Sequence, residues 1–170
     1  VGTSRRPMAS PEPMKVARDL VNHSFCTPEG RRGLWFFNGS YYHWYGSQWH
    51  LRDEEWLEDM LWNLLEDAHY TEITAQGEQT RRLKPNRGKI ENISRAISAC
   101  VKMPHSKIPV WLEGEPFPAG RGIAFKDVVV DSKTKEEVIR TENWFDPVII
   151  PVNFSGEEPK CERWLQCLKE

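Results

Sequence analysis

The sequence predicts an α+β fold in which a small antiparallel β-meander packs against helices. A further helix, an irregular β region and a closing helix are expected to follow. Three observations predict it: two tight-turn signals in an aromatic segment, two apolar stripes at helical spacing, and a proline-punctuated last third. The 170 residues match one ordinary domain. We expect a flexible tail over residues 1–13 and a single α+β domain over 14–170, with a lobe boundary near 103–110.

Composition narrows the class of protein. The chain carries 23 Lys and Arg against 25 Asp and Glu, a net charge of -2, which excludes a globally basic nucleic-acid binder. Any such binding must therefore use a local patch. No apolar run approaches the ~20 residues of a membrane helix, and no signal peptide is recognisable, so we expect a cytoplasmic protein without a membrane partner.

The four cysteines form no Cys-x-x-Cys pair, as is typical of reduced intracellular thiols. A zinc site could be formed by Cys26, His43 and His50, but their spacing in the sequence is not one that is characteristic of zinc ligands. We therefore expect neither a metal nor a cofactor.

The first elements are a helix over residues 14–25 and a three-stranded meander within residues 31–52. Asn38-Gly39 is the strongest short hairpin signal, and Gly46-Ser47 is a second two-residue turn. Pairing across these turns aligns Trp35 with Tyr42, Trp44 with Trp49, and Tyr42 with Leu51.

Alternation of side chains along the strands then sorts the meander into two faces. One face is almost purely hydrophobic and is predicted to be core: Trp35, Phe37, Tyr42, Trp44, Trp49 and Leu51. The other, here called the mixed face, combines aromatic and hydrogen-bonding groups: Leu34, Phe36, Tyr41, His43, Tyr45, Gln48, His50 and Arg52. The hydrophobic face is predicted to pack on the helix that follows.

Asp53 is predicted to N-cap that helix, which runs to about residue 70. Its apolar stripe is Trp56, Leu57, Met60, Leu61, Leu64, Leu65 and Ala68. The acidic residues of its first turn interact favourably with the helix dipole. They are interpreted as helix-stabilising residues rather than as a catalytic pair of carboxylates. Residues 71–88 are predicted to be a loop, and residues 88–103 a further helix that Pro104 ends.

In the last third, residues 122–130 are predicted to form one strand or a bent pair. A turn at 132–135, a short strand at 137–140 and another at 148–152 follow. Asp127 and Asp131 could hold a metal ion, but no third ligand accompanies them. Pro159 opens a terminal helix with Trp164, Leu165 and Leu168 on one face. The chain ends within this helix, which indicates a segment of a larger protein.

Motifs for nucleotide hydrolysis, dinucleotide binding, metalloprotease and serine-hydrolase chemistry are all missing from the sequence, so no catalytic residue is predicted. Basic residues are instead concentrated locally. The candidate single-strand binding set comprises Arg81, Arg82, Lys84, Arg87 and Lys89, with Arg31, Arg32, Arg52, Tyr41, His43 and Tyr45. Cations would neutralise phosphates and rings would stack on bases. The alternative is that the basic segment is merely solvated and a helix covers the mixed face.

The order of motifs resembles a known family. The chain contains, in order, LWFFNGSYYHWYGSQWHLRD, an amphipathic helix, IENISRAISACVKM, PVWLEG, GIAFKDVVVDSKTKEEVI and IIPVNFSGEEPKCERWLQCLKE. This order is similar to the region that precedes the superfamily 3 helicase core in phage, plasmid and large-DNA-virus primase-helicases. Gly46 and Trp49 match the hairpin of that family, whereas Lys126-Asp127 stands where Asn-Gly is usual. The resemblance covers roughly residues 15–170.

The resemblance implies a linker or collar domain between a priming module and a hexameric ATPase, without catalytic residues of its own. The implied partners are these two modules, further copies of the parent protein, and single-stranded DNA. A second hypothesis is a protein-interaction module that binds through Tyr41, His43, Tyr45, His50 and Arg52 of the mixed face. A third is an enzyme whose site the sequence does not reveal.

Overall fold

The structure is a computed structural model that describes residues 10–105 and 107–156. Its architecture is α+β, as predicted. The helices are α1 (Pro13–His23), α2 (Glu54–Leu65) and α3 (Arg87–Cys100). The strands are β1 (Leu34–Phe37), β2 (Ser40–Tyr45), β3 (Gln48–Arg52), β4 (His69–Thr74), β5 (Gly77–Arg82), β6 (Val110–Trp111), β7 (Gly122–Ala124), β8 (Val128–Asp131), β9 (Glu137–Ile139) and β10 (Trp144–Phe145). All strand pairs are antiparallel.

The β1-β2-β3 meander has the predicted register. Trp35 lies opposite Tyr42, and Trp44 lies opposite Trp49. The turn between β1 and β2 forms because Asn38 and Gly39 adopt φ values of 48° and 81°. A two-residue type I′ hairpin turn needs this left-handed conformation at both positions. The turn chemistry is local, which is why the sequence alone predicts the register.

The prediction of which face the helices cover was wrong. The mixed face packs on the helices: Leu34 and Tyr41 are buried there, 0% and 3% exposed. They join a core built mainly from α1, α2 and α3, with Val16, Leu20, Leu57, Leu61, Ile90, Ile93 and Ile97 among its members. Asp53 caps α2 as expected, its side chain accepting the Trp56 backbone N–H at 2.8 Å.

The hydrophobic face of the meander packs against the C-terminal half of the chain instead. Trp49 and Phe37 are buried there with Phe145 of β10 and with Met103. Leu51, predicted to be core, is 62% exposed because it lies beyond this contact, near the end of β3. The meander is thus a middle layer with a different partner on each side.

The short β6-β10 ribbon connects the meander to a second core. Successive residues of a strand point to opposite faces, so Phe145 packs on Trp49 while Trp144 packs into a cluster with Trp111, Phe117 and Val129. The Trp49 indole Nε1 donates a hydrogen bond to the Trp144 carbonyl at 3.0 Å. One buried bond therefore joins the two halves directly.

The expected loop at 71–88 and the extension of the second helix to residue 70 were both wrong. Residues 69–82 form the β4-β5 hairpin, and Gly77, at φ 107°, begins β5 directly after the turn at residues 75–76. Leu83 donates its backbone N–H to Ala68 and buries its side chain in the helical core. Most of the hairpin is solvated, and Ile73 is 82% exposed, so apolar alternation gave no signal for it.

The last third agrees with the bent-pair interpretation, because β7 and β8 are separate strands joined across Lys126-Asp127. The turn at 132–135 and the strand β9 are also confirmed. Residues 148–152 form no strand; only an isolated bridge joins Ile150 to Phe125. The predicted terminal helix after Pro159 and most of the predicted tail lie outside the described residues.

Candidate nucleic-acid interface

Two residues of the predicted basic cluster have structural roles. The Arg82 guanidinium donates to the Glu66 carbonyl at 2.8 Å and to the Asp67 carboxylate at 3.0 Å, at the C-terminal end of α2. Cations there satisfy free carbonyls and interact favourably with the helix dipole. The Lys89 ammonium donates to the carbonyls of Leu83 and Lys84 at 2.7 and 3.0 Å. Both side chains help to fix the segment that leads into α3.

The remaining members of the cluster are solvent-exposed. Arg81 pairs with Glu72 on the hairpin at 3.0 Å, and Arg87 pairs with Glu91 one turn along α3 at 2.9 Å. Exposed pairs of this kind contribute only about 0–1 kcal/mol, so both guanidinium groups can exchange partners at low cost. Lys84 is exposed between β5 and α3.

The other three predicted cations lie near the meander rather than near the hairpin. Arg31 pairs with Glu142, a buried carboxylate of the C-terminal half. Arg32 stacks on the Trp35 ring at 4.7 Å. Arg52 lies over the Trp56 ring at 5.4 Å. The predicted cations therefore form no single patch.

The predicted aromatic platform is largely covered by the helices. Tyr41 is 3% exposed and its hydroxyl bonds to Ser98, so it cannot stack on a base. The His43 ring packs between Phe25 and Trp56, with centroids 6.4 and 5.1 Å away. Burial, together with the nearby charge of Arg52, lowers the pKa of His43 to about 4, so the ring is neutral at pH 7.

Tyr45 is the predicted ring that does face solvent, at 69% exposed. The interaction-module hypothesis used the same face as the aromatic platform. It stays a prediction, with Tyr45 as the most accessible member of its proposed surface.

Sequence reasoning missed the aromatic residue that lies beside the basic segment. Trp62 of α2 is 42% exposed. It lines a cleft of about 410 Å³ with Asn63, Glu66, Arg82, Lys84 and Pro85. The signal was available, because Trp62 falls outside the apolar stripe of its helix and must face away from the core.

This cleft combines the two groups that single-stranded nucleic acids require. An exposed indole gives a base a stacking surface, and Lys84 supplies positive charge for a phosphate, whereas the neighbouring Arg82 is already paired with Asp67. The Glu66 carboxylate also lines the cleft and disfavours phosphate on its side. The arrangement can therefore orient a strand, with the base on the indole and the phosphate toward Lys84.

The acidic residues weighed as metal ligands hold local structure. Asp131 accepts hydrogen bonds from Arg121 at 2.6 Å and from the Lys133 backbone N–H at 2.8 Å. Burial alone would raise the pKa of Asp131, but backbone hydrogen bonds from Lys133 and Thr134, with the Arg121 charge, hold it below its ordinary value. Asp127 accepts the Phe154 backbone N–H at 3.0 Å.

Within residues 10–105 and 107–156, no group of three or more His, Cys, Asp or Glu side chains is arranged to hold a metal ion. The helices of this same part of the chain are all too short or too polar to cross a membrane. Comparison with models of known protein families finds none that matches the chain, and comparison with curated proteins also finds no match.

Proposed function

We propose that this chain is a non-catalytic linker or collar domain of a DNA primase-helicase in viral or mobile-element replication, and that it contacts single-stranded DNA. The linker role rests on the ordered motifs and their resemblance to the region before a superfamily 3 helicase core. Its partners are the priming and unwinding modules of the parent protein, further copies of that protein, and the DNA. It acts in the cytoplasm of the host cell.

The observation that carries the DNA contact is the exposure of Trp62 beside Arg82 and Lys84. A tryptophan that is 42% exposed on a helix with a well-formed apolar face loses stabilising burial, and its position beside two cations fits base stacking. Base stacking tolerates any sequence, so a domain that guides an unwound strand needs no base-specific contacts.

The test is fluorescence anisotropy with a labelled 12-nucleotide oligo(dT). Trp62→Leu removes the stacking ring but keeps apolar volume, so we expect binding to weaken about 5- to 100-fold. Trp62→Phe should restore much of the affinity. Tyr45→Leu is the comparison variant, because it removes a ring that lies outside the cleft and is more exposed than Trp62, 69% against 42%. Equal effects of Trp62→Leu and Tyr45→Leu would contradict the assignment of the cleft.

The non-catalytic part of the proposal has a separate test. Phosphate release from ATP by the purified chain should equal that of a buffer blank, with and without the oligonucleotide. Hydrolysis that co-purifies with the folded chain through successive columns would overturn it.

A further inference from the structure

We infer that a single DNA strand runs along the exposed face of α3. It starts at the Trp62 cleft and ends at a second basic cleft, which lies between α1 and the C-terminal end of α3. This inference rests on the proposed function, since it names the path of the same ligand. It adds Arg95, Arg18 and Arg32 to the contact surface. Arg95 lies on α3, and Arg18 and Arg32 line the cleft at the C-terminal end of that helix.

The second cleft lies at the C-terminal end of α3 and measures about 300 Å³. It is lined by Met14, Arg18, Val21 and Asn22 of α1, by Ala99 and Cys100 of α3, and by Arg32. Within the described part of the chain, no carboxylate forms an ion pair with Arg18 or Arg32. Their charges are thus more available than those of Arg81 and Arg87.

Helix α3 connects the two clefts. Its residues Gly88, Asn92, Arg95 and Ala99 are all exposed and recur at spacings of three and four, so they share one face. At the N-terminal end of the helix, Lys89 bonds to the carbonyl of Lys84, which lines the Trp62 cleft. At the other end Ala99 lines the second cleft.

The residues of this face suit a phosphodiester backbone. Gly88 and Ala99 are small enough for close approach, Asn92 can donate hydrogen bonds, and Arg95 supplies a central cation without an ion-pair partner among the described residues. The nearest acidic side chain on the helix, Glu91, is paired with Arg87 at 2.9 Å. The face therefore carries net positive charge.

The path ends at Arg32 for an electrostatic reason. Arg32 lies between the second cleft and a third one that Glu113 and Glu142 also line. The Glu113 carboxylate there repels phosphate, and the Arg31 charge in the same cleft is already taken up by Glu142, so the strand has no favourable continuation past Arg32. The Arg32 guanidinium already stacks on Trp35 at 4.7 Å, which holds it in place to stack a base on its free side.

The length of the path sets the length of DNA it needs. Helix α3 has 14 residues, which at 1.5 Å per residue is about 21 Å. At the 3.4 Å spacing of a stacked strand this takes about six nucleotides. An oligo(dT) of four nucleotides can reach only one cleft, whereas a 12-mer can reach both.

The test compares oligo(dT) 4-mers and 12-mers on the wild type and on the double variant Arg18→Gln/Arg95→Gln. We expect the variant to lose about tenfold or more in affinity for the 12-mer at low salt. The slope of log affinity against log salt should fall by about 1.4, or 0.7 for each lost cation. The matched control is Lys126→Gln/Lys133→Gln, which removes two exposed cations of the other half and should change neither quantity by as much.

The outcomes separate this inference from the proposed function. If the wild type binds the 12-mer through Trp62 but Arg18→Gln/Arg95→Gln has no more effect than its control, the path is wrong and the Trp62 site stands. Equal affinity for the 4-mer and the 12-mer would also overturn the path. No binding of the 12-mer by the wild type would overturn the proposed DNA contact itself.

Discussion

Replacing Trp49 tests how the two halves of the chain are held together. Its indole is 2% exposed, contacts Phe145 with centroids 5.2 Å apart, and donates the buried hydrogen bond to the Trp144 carbonyl. Trp49→Ala leaves a large cavity and is expected to lower the free energy of unfolding by about 3–5 kcal/mol. Trp49→Phe keeps most of the packing but leaves the buried carbonyl without its donor, at a cost of about 1–3 kcal/mol.

The assay is urea denaturation followed by circular dichroism, with free energies compared at constant slope. Trp44→Ala is the control: its ring packs on Trp49 at 5.4 Å but is only partly buried, so we expect a loss of about 1–2 kcal/mol. Equal losses at Trp44 and Trp49, or a change below about 0.5 kcal/mol for Trp49→Ala, would refute the sandwiched position of the meander.

Two further predictions concern stability. Because the folded-state pKa of His43 is about 4 against 6.5 in the unfolded chain, the unfolded chain binds the extra proton, and stability is lost as pH falls from about 6.5 to about 4. The pKa shift corresponds to a stability change of about 3 kcal/mol, which partial exposure reduces to about 2. The change is measured as the difference in unfolding free energy between wild type and His43→Phe across this pH range. A difference that stays constant with pH would refute the neutral buried ring. A Cβ at Gly122 would clash with the Trp144 ring, with further ring atoms at 3.0 and 3.1 Å, so Gly122→Ala should cost about 1–3 kcal/mol. Gly120→Ala meets no atom within 4 Å and serves as the control in the same thermal melts; comparable melting temperatures for both variants would show that the ring does not occupy that position.

Local chemistry made the meander predictable, whereas long-range contacts decided what covers it. The Asn38-Gly39 turn and strand alternation are properties of neighbouring residues, so they fix register and sort side chains into two faces. Periodicity does not say which partner each face meets. Tyr41 contacts the helices, whereas Trp49 contacts β10, a strand almost 100 residues further along the chain.

The β4-β5 hairpin was not predicted because its strand pairing depends on backbone hydrogen bonds more than on the burial of side chains. Its two strands lack an apolar face. The β-branched residues on either side of Gly77 are the sequence feature that favours strands there. The sequence identified the basic residues, but the structural role of Arg82 was missed for a related reason. Arg82 is fixed by a carbonyl 16 residues away in sequence, which no local pattern reveals.

Trp62, by contrast, could have been recognised from the sequence. It is the aromatic side chain of α2 that falls outside the apolar stripe, and the basic segment that begins at Arg81 packs beside it in the fold. An aromatic residue off the core-facing side of an amphipathic helix is a useful indicator of a binding surface.

The most direct test of the central claim, that this chain contacts single-stranded DNA, is the affinity of the wild type for a labelled 12-nucleotide oligo(dT) at about 50 and about 200 mM salt. We predict measurable binding at the lower concentration and a loss of affinity at the higher one. The loss should follow a slope of about 0.7 for each phosphate neutralised. No binding at the lower concentration, or binding that does not change with salt, would contradict the claim.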